Sequence, residues 1–149
     1  MTLTKFLKRI LPAQGSYYTV QITNTGATRQ FKHDDVAEAV HSLEAITHRH
    51  HNAYIATGTF GASRKQEACK YKRVWYVDID CKEGGQYPDK KTAMEAIKQA
   101  IKDGLPPPTL IVDSGNGFHL YWVCLEDIAA KDWKGYAKAL VTACKQFSL

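Results

Sequence analysis

The chain is 149 residues long, with a formal charge of +5, 44% hydrophobic residues and 23% charged residues, which is the composition of one globular domain with a real core. It contains no run approaching the ~20 apolar residues of a membrane helix and no signal-peptide pattern, so no membrane partner and a cytoplasmic location are expected. Cys69, Cys81, Cys124 and Cys144 form no C-x-x-C pair, which argues against a disulfide framework and a zinc ribbon.

Leu3, Phe6, Leu7, Ile10 and Leu11 recur at helical spacing, and Pro12 stops the run. Tyr17–Ile22 and Thr28–Lys32 flank Asn24-Thr25-Gly26 and read as a β-hairpin. Asp34 and Asp35 open a helix carrying Val36, Ala39, Val40, Leu43 and Ile46. His48-Arg49-His50-His51 is expected to be its solvated end, because no further ligand stands at metal-binding spacing. Ala53–Thr59 reads as one strand. Residues 60–72 read as a basic loop, in which Arg64, Lys65, Lys72 and the following Arg73 are candidates to meet nucleic-acid phosphates.

Val74–Asp80, Val-Trp-Tyr-Val-Asp-Ile-Asp, is β-branched and aromatic and reads as a strand. Alternation puts Trp75, Val77, Ile79 and Cys81 on one side and Asp78 and Asp80 on the other. Two carboxylates so placed repel each other unless a cation offsets them, and they can converge on one divalent ion or a close pair.

Lys82, Gly84 and Gly85 form a turn. Asp89 caps a helix with Ala93, Ile97, Ala100 and Ile101 on one face, and Gly104 ends it. After Pro106-Pro107-Pro108 come a strand at Thr109–Asp113, a tight Ser114-Gly115-Asn116-Gly117 connection and a strand at Phe118–Leu125. In the last, Phe118, Leu120, Trp122 and Cys124 share the core side, so His119 and Tyr121 look out with Asp78 and Asp80 if the strands are neighbours. The two glycines free the backbone to present N–H groups as an anion nest. A hydroxyl, free amides and an imidazole beside paired carboxylates are parts for holding a metal-bound triphosphate. Trp133, Tyr136, Ala137, Leu140, Val141, Cys144 and Phe147 form a closing helical stripe.

The expected fold is α+β: an incomplete split β-α-β, RRM-like sheet with helices on one face, over 61–149, plus an N-terminal helix–hairpin–helix lobe over 1–60. The chain is expected to stop one strand short of the complete unit.

Val-Asp-Ile-Asp-Cys-Lys, then a helix, Pro-Pro-Pro, a strand and Asp-Ser-Gly-Asn-Gly-Phe-His-Leu-Tyr-Trp resemble the primase-polymerase branch of the archaeo-eukaryotic primase superfamily, of the phage and plasmid type. The leader Phe6-Leu7 to Tyr17 and Asn52-Ala53-Tyr54 resemble it too. The resemblance implies a DNA primase/polymerase that performs template-directed nucleotidyl transfer by a two-metal mechanism. Asp78 and Asp80 would bind catalytic Mg²⁺ or Mn²⁺. Ser114, Gly115 and Gly117 would bind nucleotide, His119 would contact the triphosphate, and Lys82 would supply a phosphate contact. The implied partners are nucleoside triphosphates, single-stranded or primed DNA, and a helicase domain in the same longer protein. The implied location is the cytoplasm of a bacterial or phage-infected cell.

The family carries a third metal-binding Asp on a later strand, followed by an Arg-x-Pro-Gly-Thr-type segment. Here Glu126, Asp127 and Asp132 stand where a loop and helix start are expected, and read as capping residues. The chain is therefore expected to be an N-terminal fragment, weak or inactive alone. Two alternatives stay open. One is a non-catalytic single-strand-binding module using Tyr76 and Tyr121. The other is a replication-initiator nuclease using His48-Arg49-His50.

Overall fold

The computed structural model describes every residue, Met1–Leu149. The elements run α1 (Leu3–Ile10), β1 (Tyr17–Ile22), β2 (Thr28–His33), α2 (Val36–His48), β3 (Asn52–Ile55), β4 (Gly58–Phe60), a 3-10 turn (Gln66–Ala68), β5 (Cys69–Asp80), α3 (Lys90–Lys102), β6 (Leu110–Asp113), β7 (Gly117–Ala129) and α4 (Ala130–Gln146). The fold is α+β, as expected. Two sheets form, of orders β2-β1-β3 and β4-β5-β7-β6. Residues Met1–Arg73 with Cys124–Lys131 make one compact unit, and Val74–Val123 with Asp132–Leu149 make the other. No helix is long and apolar enough to cross a membrane.

In the first unit, β1 pairs antiparallel with both β2 and β3. α1 and α2 supply Leu7, Ile10, Ala39, Val40, Leu43 and Ile46 to the core. Thr2 and Asp35 cap the two helices through their side chains. The stretch read as one strand over Ala53–Thr59 is two. β3 joins β1, whereas β4 pairs antiparallel with the first residues of β5. The reading of residues 60–72 as a loop is corrected as well, because Cys69–Lys72 already belong to β5. Their exposed polar positions belong to a strand whose backbone is satisfied by β4.

Lys72 is half-buried, with Nζ 3.3 Å from Thr57 Oγ1, and burial holds its pKa below the ordinary lysine value. Arg73 Nε donates to Asp127 Oδ1 at 2.7 Å, and Asp127 Oδ2 accepts from the Ala13 amide at 2.8 Å. The expectation of a cap at Asp127 is thereby corrected. Glu126 and Asp127 lie within β7, and Asp127 is a mostly buried tie between distant segments. Asp127→Ala leaves the guanidinium and an amide without their acceptor. It is expected to lower stability by about 1–3 kcal/mol, or about 3–10 °C in a thermal melt of a chain this size.

The fully buried Thr19 hydroxyl lies 2.8 Å from both His33 Nε2 and Ser42 Oγ. Burial holds the His33 pKa below its ordinary 6.5. The unfolded chain therefore binds a proton first as pH falls. The contribution of His33 to stability is full above 6.5 and shrinks as pH drops through that value. His33→Gln is expected to flatten the decline in melting temperature on the acid side of neutrality.

The second unit holds the split β-α-β arrangement. Ile79 lies against Gly117 at one end of the β5–β7 contact and Tyr76 against Tyr121 further along, so the two strands run in opposite directions. β7 is also antiparallel to β6. β5 and β6 are thus parallel, joined through α3, with β7 between them. Ile79, Phe118, Leu120 and Trp122 pack on Ala93, Ile97 and Ala100 of α3 and Cys144 of α4. Each fully buried Ile or Leu there is worth roughly 1.5–3 kcal/mol. Asp89 caps α3 through the Thr92 amide, and Gly104 ends it at φ +119°, a conformation that costs a glycine little. Trp122 Nε1 donates to Pro106 O at 2.8 Å and anchors the proline run.

The closing stripe is only partly buried. Leu140, Ala143, Cys144 and Phe147 reach the core, but Tyr136 and Val141 stay exposed. Trp133 Nε1 donates to Val74 O at 2.9 Å and Trp75 Nε1 to Trp133 O at 3.3 Å, so two indoles clasp α4 to β5.

Candidate active site

The second unit brings the candidate residues to one face of its sheet. On β5 the apolar side chains Trp75, Val77 and Ile79, followed by Cys81 just past its end, turn to the core, which leaves Tyr76, Asp78 and Asp80 exposed on the other side. On β7 the core takes Phe118, Leu120 and Trp122, which leaves His119 and Tyr121 on the open side. His119 Nε2 lies 3.3 Å from Asp78 Oδ1. Asp80 follows one alternation further, roughly 6–7 Å along the strand. β6 adds Val112 opposite His119 and Leu110 opposite Tyr121.

The imidazole is held at both nitrogens. Tyr121 Oη is 3.4 Å from Nδ1, on the far side from Asp78. A carboxylate only accepts, so Nε2 carries the proton toward Asp78 and Nδ1 accepts from the tyrosine hydroxyl. Tyr121 is 8% exposed, and burial, with Tyr76 and Asp78 nearby, raises its pKa. Its hydroxyl therefore stays protonated and able to donate. The ring more open to a nucleic acid is its neighbour Tyr76, 49% exposed. Tyr76 was legible from its place on the Asp78 face, two residues before it.

The Ser114–Gly117 connection sits at the acidic end of β5, where Cys81 N donates to Asn116 O at 2.8 Å. Its amides are partly engaged. Ser114 N donates to Gly117 O, and Gly115 N to Asp113 Oδ1 at 2.8 Å. The Asp113 carboxylate also binds Lys90 Nζ at 2.9 Å, and these contacts, Lys90 foremost, pull its pKa down. The Gly115 N–H thus serves the turn in this structure, while the Ser114 side chain is exposed. Gly117 has a packing role that sequence reading missed: a Cβ there would run into the Ile79 carbonyl and crowd the Asp80 Cα. β7 approaches the acidic strand this closely because residue 117 has no side chain. Lys82 lies in the turn after β5 with its side chain exposed.

The other basic candidates belong to the first unit. Arg64 and Lys65 are exposed, whereas Lys72 and Arg73 face partners inside that unit. His48 ends α2, Arg49 caps it, and His50 has φ +58°, so this triplet closes a helix rather than lying on a strand.

No group of three or more His, Cys, Asp or Glu side chains is gathered to hold a metal. The two exposed carboxylates suit a hard cation that takes the rest of its ligands from elsewhere. Mg²⁺ commonly takes one or two carboxylates and completes its shell with water and phosphate oxygens.

No family model matches the chain. A curated replication protein of Clostridium perfringens is 28% identical over 99 residues, covering 64% of this chain and 24% of that protein. Among solved structures, the AEP domain of the cyanophage S-2L primase-polymerase matches with a TM-score of 0.60 at 18% identity, over 88% of this chain and 64% of that one. The chain therefore spans about a quarter of the curated relative and under two thirds of the solved domain. The resemblance drawn from the motifs is borne out in these terms: this chain has the fold of a phage primase-polymerase AEP domain and is similar in sequence to a replication protein.

Proposed function

We propose that the chain is the metal- and nucleotide-binding part of a mobile-element DNA primase-polymerase, a nucleotidyltransferase acting in DNA replication in the cytoplasm of a bacterial or phage-infected cell. The observation that carries this reading is the 3.3 Å approach of His119 to Asp78 on one exposed face, with Asp80 beside them. The shared fold and the replication-protein relative support it.

In this reading Asp78 and Asp80 hold Mg²⁺ or Mn²⁺. The ion, when bound, activates the attacking 3′-hydroxyl and offsets charge on the transferred phosphorus and leaving pyrophosphate. With a cation held there, Asp78 would face it, and the Nε2–H of His119 would be available to a triphosphate oxygen. Tyr121 keeps that imidazole in its tautomer and orientation. The Ser114 side chain, at the acidic end of the strand, and Lys82 contribute further phosphate contacts, while the Gly115 N–H stays with Asp113 and holds the turn. Gly117 sets the spacing between the two strands. The templating strand is single-stranded or primed DNA, Arg64 and Lys65 are candidates to meet its backbone, and a helicase domain in a longer protein is the expected companion.

The carboxylates supply only part of a coordination shell, so cation and triphosphate are expected to bind each other's complex far better than either binds alone. Titration of the chain with a nucleoside triphosphate, with and without Mn²⁺ and with Asp78→Asn, tests this. Equal affinity in all three cases overturns the reading.

A further inference from the structure

The exposed face of the second unit carries one large group to which nucleotidyl transfer gives no task. Tyr76 is 49% exposed, one alternation before Asp78. Its ring rests on Tyr121, with centroids 5.8 Å apart and planes inclined by 35°. The orientation of the exposed ring is therefore set by packing and not left to rotamer freedom. Tyr121 in turn meets the His119 imidazole edge-on, at 6.2 Å and 75°. Tyr76, Tyr121, His119 and Asp78 thus form one unbroken track from an apolar end to an acidic end. Leu110, opposite Tyr121, widens the apolar end.

We propose that Tyr76, backed by Tyr121, is a stacking platform for an unpaired base of a DNA strand, and that it seats one nucleotide beside the triphosphate site. The place of that base in the reaction rests on the function proposed above, but the stacking needs no metal. A base is the occupant that the surroundings fit. It offers a flat π-face to a rigid ring, and its backbone is drawn to a chain of charge +5. Every base has such a face, so the platform is indifferent to sequence, as a replication enzyme requires.

The test uses the whole 149-residue chain without divalent cation. Labelled oligothymidylate and an abasic strand of equal length are compared by fluorescence anisotropy. The intact chain is expected to prefer the strand with bases. Tyr76→Thr keeps a β-branched strand residue but removes the ring, and is expected to weaken oligothymidylate binding by about 5- to 100-fold while leaving the abasic strand unchanged. Tyr76→Phe is expected to bind as the original does. No preference for bases in the intact chain, an equal loss on both strands, or no loss in Tyr76→Thr overturns the platform. The cation separates the two ideas: added Mn²⁺ strengthens triphosphate binding if the proposed function holds, whereas the platform requires a base preference without metal that is lost in Tyr76→Thr.

Discussion

Asp78→Asn is expected to lower Mn²⁺-dependent triphosphate binding by about 100-fold or more, with little change in thermal stability. Asparagine keeps the shape of the side chain and an oxygen for His119 Nε2, so the variant isolates the charge. A ligand carboxylate contributes to the cation's affinity directly. Losses of about 10- to 100-fold attend even the groups that only orient such ligands, and removing one preorganised charge-stabilising group costs about 10²–10³ in rate. The side chain is half exposed. Its replacement therefore leaves no buried group unsatisfied, and it relieves repulsion from Asp80, so the melting temperature should hold or rise slightly. Calorimetric titration and a thermal melt of the same sample check both halves. A large fall in stability would mean that Asp78 holds the fold together, and that lost binding says nothing of the cation.

Gly117→Ala is the substitution expected to damage the fold most. The added methyl meets the Ile79 carbonyl and the Asp80 Cα. These are backbone atoms where β5 ends against the start of β7, with no flexible side chain to yield. Overpacking of this kind costs about 1–3 kcal/mol, and the upper end applies where backbone must move. In a chain this size that is about 6–12 °C of melting temperature. The strain falls on the contact that sets the spacing of β7 from β5. The Cys81–Asn116 hydrogen bond should therefore weaken, and His119 should draw back from Asp78. Nucleotide binding should fall together with stability, unlike Asp78→Asn, where only binding falls. A variant with unchanged melting temperature would show that the two strands do not approach as described.

The faces of the two site strands were legible because alternation is a local property. Once Trp75, Val77 and Ile79 seek the core, Asp78 and Asp80 have only the other side, and Phe118, Leu120 and Trp122 likewise expose His119. That the strands are neighbours was an assumption in the sequence, and the structure supplies it. What the sequence hid depends on distant partners. Asn52–Phe60 serves two sheets, a division that no local residue announces beyond Gly58. Cys69–Lys72 looked like a loop because its run is polar, and nothing local reveals β4 as the strand that pairs with it. Asp127 looked like a helix cap because nothing near it in sequence reveals Arg73, 54 residues away, as its counter-charge. Gly117 read as a flexible turn residue, whereas its missing side chain matters for what it allows the neighbouring strand to do.

All three tryptophans, Trp75, Trp122 and Trp133, lie in the unit that carries Asp78 and His119, while four tyrosines and no indole lie in the other. Indole emission is therefore a built-in reporter of one half of the molecule. Followed alongside far-ultraviolet circular dichroism, which sees both halves, it reveals whether the chain melts as a single cooperative body or sheds one unit first. The same emission watches the Trp75–Trp133 clasp directly, so loosening beside the acidic strand can be read without attaching any label.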